Sequence, residues 1–84
     1  MMTDIAITVK LFGAFRKYGE TLTVKMPAGC TVQEIKSNIS KKMDENDALL
    51  VGDSAFAFED EFVGLDLKFD KNITLAIMPP VCGG

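Results

Sequence analysis

The sequence predicts an α+β domain in which a mixed sheet of about four to five strands packs on one main helix. Two alternating apolar stretches joined by a short loop come first, at residues 5–12 and 20–26. A helical stripe of apolar residues follows from Val32, and more alternating stretches run to residue 78. Strands on both sides of one helix favour a single domain with the helix on one face of the sheet.

The first two stretches predict a β-hairpin. From Ile5 to Phe12, every second side chain is apolar, which is typical of a half-buried strand. Residues 20–26 repeat the pattern after a predicted connecting loop at residues 13–19. A strand, a short loop and a second strand predict antiparallel pairing.

A helix is predicted after Pro27 ends the second strand. Thr31 fits the N-cap and Glu34 stands three residues later, which is the spacing of a capping box. We predict that the helix ends at residues 44–47, because carboxylates at a helix C-terminus oppose its dipole. The apolar stripe consists of Val32, Ile35, Ile39 and Met43.

The second half of the chain predicts three further strands. They are residues 54–58, a short return strand at Phe62 and Val63 after a turn at residues 59–61, and the last strand at residues 73–78. Between them, three apolar side chains are expected to anchor the chain to the core: Leu65, Leu67 and Phe69. A hairpin, a helix and then more strands is the order of the β-grasp, or ubiquitin-like, layout. In that layout the first and last strands lie parallel at the centre of the sheet.

The composition of the chain limits the classes of function that it could have. Eighty-four residues make one domain with a single modest core. The net charge of −3 disfavours a nucleic-acid partner, and no apolar run approaches the roughly 20 residues of a membrane span. The N-terminal sequence lacks a signal-peptide pattern, so we expect a cytoplasmic protein with reduced thiols. The absence of histidine removes the usual general base, which argues against a self-contained enzyme.

The last strand is followed by a segment of unusual composition, Pro79-Pro80-Val81-Cys82-Gly83-Gly84. The two prolines stop the sheet ladder and favour extended polyproline II geometry. The two glycines have no side chains, so they can enter a channel too narrow for other residues. We therefore predict a β-grasp domain at residues 1–78 and a flexible tail at residues 79–84 that delivers its terminal carboxylate to a partner.

This ending resembles the tail of the MoaD/ThiS family of ubiquitin-like sulfur carrier proteins, and most of all the small subunit of molybdopterin synthase. The resemblance implies that Gly84 is the reactive residue, adenylated by an E1-like (MoeB-like) enzyme that uses ATP and Mg. A sulfurtransferase or other persulfide donor would then convert the adenylate to a thiocarboxylate. The sulfur would pass to a pyranopterin precursor with the MoaE-like large subunit. The catalytic side chains belong to those partners, and this chain is expected to bind no cofactor or metal itself.

Several alternatives remain open. The carrier could serve thiazole (thiamine), cysteine or tRNA thiolation, or the chain could be a ubiquitin-like protein modifier joined to lysines. An inert β-grasp interaction module is a further alternative. Cys82 departs from the small residues common before Gly-Gly, and it is interpreted as a small neutral side chain rather than a sulfur-transfer thiol. The acidic residues 59–61 are interpreted as a solvated turn rather than a metal site.

A partner-binding surface is predicted beside the root of the tail. Phe12 and Met78 stand at the C-terminal ends of the first and last strands, on the face away from the helix. If those strands are parallel neighbours, the two side chains lie at one edge of the sheet. The predicted partner-binding residues are Phe12, Met78, Pro79, Pro80, Val81, Cys82 and Gly83.

Overall fold

Five strands form the main sheet of the computed structural model, which describes residues 4–80. The helices and strands are β1 (Asp4–Leu11), β2 (Thr21–Pro27), β3 (Cys30–Thr31), α1 (Val32–Ser40), α2 (Glu45–Gly52), β4 (Ala55–Phe58), β5 (Glu61–Val63), β6 (Lys68–Phe69) and β7 (Ile73–Met78). A 3₁₀ helix, Gly13–Tyr18, connects β1 to β2. The strand order across the main sheet is β2-β1-β7-β4-β5, and β3 and β6 form a separate two-stranded sheet.

The pairing of β1 organises the sheet. It runs antiparallel to β2, with Ile7 opposite Val24, which confirms the predicted hairpin. On its other side it runs parallel to β7, with Val9 opposite Leu75, which confirms the predicted parallel pair of first and last strands. The C-terminal ends of β1 and β7 therefore lie at the same edge of the sheet.

The core lies between the sheet and α1. Alternate side chains of β1 and β7 point toward α1 and are buried, as the period of two in these strands requires. Thr31 caps α1 by accepting a hydrogen bond from the Glu34 N–H, and Glu34 completes the predicted capping box. The fully buried core includes Ile7, Val9, Leu11, Phe15, Val32, Ile35, Ile39, Phe56, Leu75 and Ile77.

A second helix, α2, corrects the predicted role of the acidic run at residues 44–47. Helix α1 ends at Ser40, and Asp44 is the N-cap of α2, whose first turn contains Glu45 and Asp47. The carboxylates thus lie at a helix N-terminus, where the dipole favours negative charge. The expectation that they end a helix was wrong, since composition alone does not show which end of a helix an acidic run occupies.

Two further expectations are corrected in the connections. Residues 13–18 form the 3₁₀ helix rather than a plain loop, because Phe15 is completely buried and pulls the segment onto the core. Of the three expected apolar anchors, Phe69 is buried, whereas Leu65 and Leu67 are exposed. Within residues 4–80, no helix is long and apolar enough to cross a membrane.

Candidate functional site

The predicted tail begins directly at the end of β7. Met78 is the last residue of that strand, Pro79 is half-buried and Pro80 is exposed. The strand therefore runs into the double proline as the sequence predicts. The remaining tail residues named above, Val81, Cys82, Gly83 and Gly84, for which reactivity was predicted, lie outside the described residues.

Phe12 and Met78 lie together beside this tail root. The parallel register pairs Leu11 with Ile77, and one residue further along Phe12 and Met78 line the same groove. Their side chains are 38% and 39% exposed, so both are accessible on the face away from the core. The predicted placement at one edge is confirmed, and a role in partner binding stays a prediction.

The register that brings these two side chains together is fixed at the start of β7. The Ala6 N–H donates a hydrogen bond to Asn72 Oδ1 at 2.8 Å, just before the strand begins. The buried side chains of Leu75 and Ile77 then hold β7 against the core. A slip of one residue would turn Met78 inward and expose its buried neighbours, which opposes any other register.

Phe62 completes the surface and was missed in the sequence. It stands on the edge strand β5, is 72% exposed, and lines the groove with Phe12 and Met78. We name the surface formed by Phe12, Phe62 and Met78 the apolar groove; its volume is about 450 Å³. A bulky aromatic residue directly after the acidic run 59–61, in a short strand, was the available sign, but the position of β5 in the sheet was not evident.

Two alanines shape the apolar groove. Ala76 of β7 lies opposite Lys10 of β1 and also opposite Ala57 of β4, which in turn lies opposite Phe62. These four residues form one row across the sheet, and the small alanine side chains leave space between Lys10 and Phe62. The row explains why a depression, rather than a flat face, lies next to the tail root.

Charges of opposite sign border the apolar groove. Lys10 lines it on the β1 side, and Glu59 and Asp60 line it at the turn between β4 and β5. Both turn residues have positive φ, 51° for Glu59 and 65° for Asp60, as a two-residue type I′ hairpin turn requires. Among residues 4–80 there is no group of three His, Cys, Asp or Glu side chains that could hold a metal ion.

A polar network holds the 3₁₀ helix against α2 and so supports the edge where Phe12 lies. Tyr18 Oη donates to Asp47 Oδ2 at 2.6 Å and accepts from the Asp44 N–H at 3.0 Å. Lys17 Nζ lies 2.7 Å from the same Asp47 oxygen. The hydrogen bonds from Lys17 and Tyr18 hold the pKa of Asp47 below its usual value. The hydrogen bond to Asp47 raises the pKa of Tyr18, since it favours the protonated phenol.

The described cysteine, Cys30, lies away from the tail root. Its side chain is buried in the core, where β3 pairs with β6. Burial, aided by the negative charge of Glu34, raises the pKa of the Cys30 thiol. Because the thiolate is the nucleophile, Cys30 is a structural residue rather than a reactive one.

These features define the class of fold. A hairpin, a helix across one face and a last strand parallel to the first constitute the ubiquitin-like β-grasp fold, and solved structures of that class superpose on nearly the whole chain. No protein-family model and no curated protein sequence matches the chain.

Solved structures that resemble this chain include subunits of molybdopterin-converting factors and a small archaeal modifier protein. Molybdopterin converting factor subunit 1 from Pyrococcus furiosus, described as putative, superposes with a TM-score of 0.71 at 22% identity, over 92% of this chain and 99% of its own. SAMP1 of Haloferax volcanii, a small archaeal modifier protein, gives 0.70 at 20% identity, over 94% and 99%. The complex of subunits 1 and 2 of the molybdopterin-converting factor from Helicobacter pylori contains a chain that gives 0.65 at 23%, over 95% and 100%. At these identities the likeness establishes the shared fold.

Proposed function

We propose that this chain is a ubiquitin-like sulfur carrier whose Gly84 carboxylate is activated and converted to a thiocarboxylate. The observation that carries the proposal is the Pro-Pro-x-x-Gly-Gly segment directly after β7 of a β-grasp domain. The resemblance of the fold to molybdopterin converting factor subunit 1 supports the same assignment. The proposed destination of the sulfur is a pyranopterin precursor, with this chain as the small subunit of molybdopterin synthase.

The chemistry divides between this chain and its partners. An E1-like enzyme would supply ATP and Mg, and the Gly84 carboxylate oxygen would attack the α-phosphate and release pyrophosphate. A persulfide would then attack the acyl carbon and displace AMP, and a thiol reductant would cleave the resulting acyl disulfide to leave the thiocarboxylate. This chain would contribute only binding and delivery, through Phe12, Phe62, Met78 and the residues from Pro79 to Gly83.

The apolar groove is proposed as the docking surface for these partners. Three large apolar side chains border the groove next to the tail root, which is a common arrangement for the anchor residues of an interface. The two-subunit complex from Helicobacter pylori shows that a structural neighbour of this chain assembles with a second subunit. We propose a MoaE-like large subunit and a MoeB-like activating enzyme as partners that use this surface in turn.

Intact mass spectrometry tests the carrier function. The protein is incubated with the E1-like enzyme of the source organism, ATP, Mg and a sulfurtransferase with its sulfur donor. The expected product is heavier by the exchange of one oxygen for sulfur, and fragmentation should assign the change to Gly84 as the terminal residue. A variant that lacks Gly84 is the control and should gain no sulfur. Failure of the wild type to form either adenylate or thiocarboxylate contradicts the proposal.

A protein modifier is the second candidate, because SAMP1 superposes almost as well as the molybdopterin factor. In that case the activated Gly84 would form an isopeptide bond with lysines of other proteins. Protein recovered from the source organism distinguishes the two functions. A ladder of lysine conjugates favours the modifier, and free thiocarboxylate protein that supplies sulfur to a pyranopterin precursor with the large subunit favours the carrier.

A further inference from the structure

Gly13 makes a close contact with the first residue of the tail. Its φ is +59°, a left-handed conformation that glycine adopts without steric cost. A Cβ added at this position would lie 2.8 Å from Cγ of Pro79 and 3.8 Å from its Cδ. Real Cβ atoms essentially never approach another heavy atom so closely, so the pyrrolidine ring occupies space that only glycine leaves free.

Gly13 is held in place by the elements around it. It begins the 3₁₀ helix, in which Phe15 is completely buried in the core. At the other end of that helix, Tyr18 bonds to Asp47 and to the backbone of Asp44. Because Phe15 and Tyr18 anchor the 3₁₀ helix, its first residue, Gly13, is held under the half-buried ring of Pro79.

We propose that Gly13 is a positioning residue that seats Pro79 and thereby sets the direction in which the chain leaves β7. Proline has a fixed φ, and consecutive prolines favour extended geometry. The orientation of the Pro79 ring therefore determines where the chain points at Pro80. The consequence for activation of Gly84 rests on the proposed function. The contact between Gly13 and the Pro79 ring, which we name the seat, is a property of residues 13 and 79 alone.

The distance from an added Cβ at position 13 to the Pro79 ring indicates how strongly a side chain there should affect adenylation. Ordinary van der Waals contact begins at 3.4 Å, so a Cβ at 2.8 Å requires the ring and residue 13 to separate by about 0.6 Å. Misplacing a reacting group by about 1 Å can cost on the order of 100-fold in rate. We therefore expect a side chain at position 13 to lower kcat/KM for adenylation by about tenfold.

The test uses asparagine, because asparagine tolerates the left-handed conformation better than other residues with a side chain. Gly13→Asn adds a Cβ against Pro79 with little backbone strain. Gly29→Asn is the matched control, since Gly29 has φ +90° and nothing within 4 Å of an added Cβ. Pro79→Ala removes Cγ and Cδ of the ring, and the Cβ that alanine keeps is 4.0 Å away. Gly13→Ala replaces Gly13→Asn should the latter not fold.

Two readouts are needed. The first is the set of Cα–Hα residual dipolar couplings of Met78, Pro79 and Pro80, which report the direction of the chain without any partner. The second is kcat/KM for adenylation, compared in a cycle of Gly13→Asn, Pro79→Ala and the double variant, with thermal unfolding of each.

The expected result is that Gly13→Asn changes the couplings and lowers kcat/KM about tenfold, while Gly29→Asn changes neither. In the Pro79→Ala background the effect of Gly13→Asn on kcat/KM should fall below twofold. Unchanged couplings in Gly13→Asn overturn the seat, and changed couplings with unchanged adenylation overturn its positioning role. Absence of adenylation in the wild type counts against the proposed function, and the couplings then decide the seat alone.

Discussion

Replacing Phe62 should weaken partner binding without unfolding the domain. A phenylalanine side chain buries about 150–250 Å² in an interface, and Phe62 is 72% exposed, so a partner that covers it removes roughly 140 Å² from water. At about 25 cal/mol per Å², that area corresponds to about 3.5 kcal/mol. This value is a ceiling, because association has its own entropic cost. We expect Phe62→Thr to cost about 1.4–2.8 kcal/mol, which is tenfold to 100-fold in Kd.

Threonine is chosen because it retains the preference for a strand at this position of β5. Titration calorimetry with the E1-like enzyme and with the large subunit gives the two Kd values, and thermal unfolding checks the fold. Leu49 of α2 is the matched control, because it is 71% exposed and does not line the apolar groove. Equal binding by Phe62→Thr and the wild type, or an equal loss in Leu49→Gln, would refute the assignment of the groove.

Three further perturbations test the tail and its support. Gly83→Leu should change the free energy of unfolding by no more than about 0.5 kcal/mol yet abolish adenylation, because the side chain blocks the partner's channel; normal pyrophosphate exchange would disprove the channel. Cys82→Ala should form and transfer thiocarboxylate at a near-normal rate, and a loss near 100-fold, about 2.7 kcal/mol, would instead assign the thiol a role. Asp47→Asn should lower the thermal midpoint at neutral pH. Because the pKa of Asp47 is lowered in the fold, its stabilisation is present above the ordinary value of 3.8 and is lost as pH falls through the folded-state pKa. The difference between wild type and Asp47→Asn should therefore narrow in acid, and a pH-independent difference would contradict the network.

The parts of the fold that were predicted from the sequence depend on local patterns. Alternation in β1 and β7 requires only that one face be buried, and the last strand was predicted with its observed bounds, Ile73–Met78. The capping box of Thr31 and Glu34 acts within four residues, so the start of α1 was also predictable. The double proline that ends the sheet at the tail root is equally local.

The parts that were missed depend on distant contacts. Helix α2 has little amphipathic pattern, and its N-terminus is stabilised by Tyr18, which is far away in sequence. The 3₁₀ helix forms because Phe15 fills the core, which no spacing rule indicates. Phe62 belongs to the apolar groove only because β4 pairs with β7 and β5 pairs with β4. Strand order is a property of the whole sheet, so the sequence predicted Phe12 and Met78 as members of the apolar groove but not Phe62.

Strand β7 connects the apolar groove to the tail root. The same six residues place Met78 in the apolar groove, bury Leu75 and Ile77, and end at Pro79. A slip of one residue would move all of these together, because successive side chains of a strand point to opposite faces. A partner that covered the apolar groove would therefore hold the strand that leads directly into Pro79. The contributions of the apolar groove and of the Gly13–Pro79 contact can be separated by substitution, because Phe62 stands on β5, which pairs with β4 and not with β7, whereas Gly13 lies against Pro79.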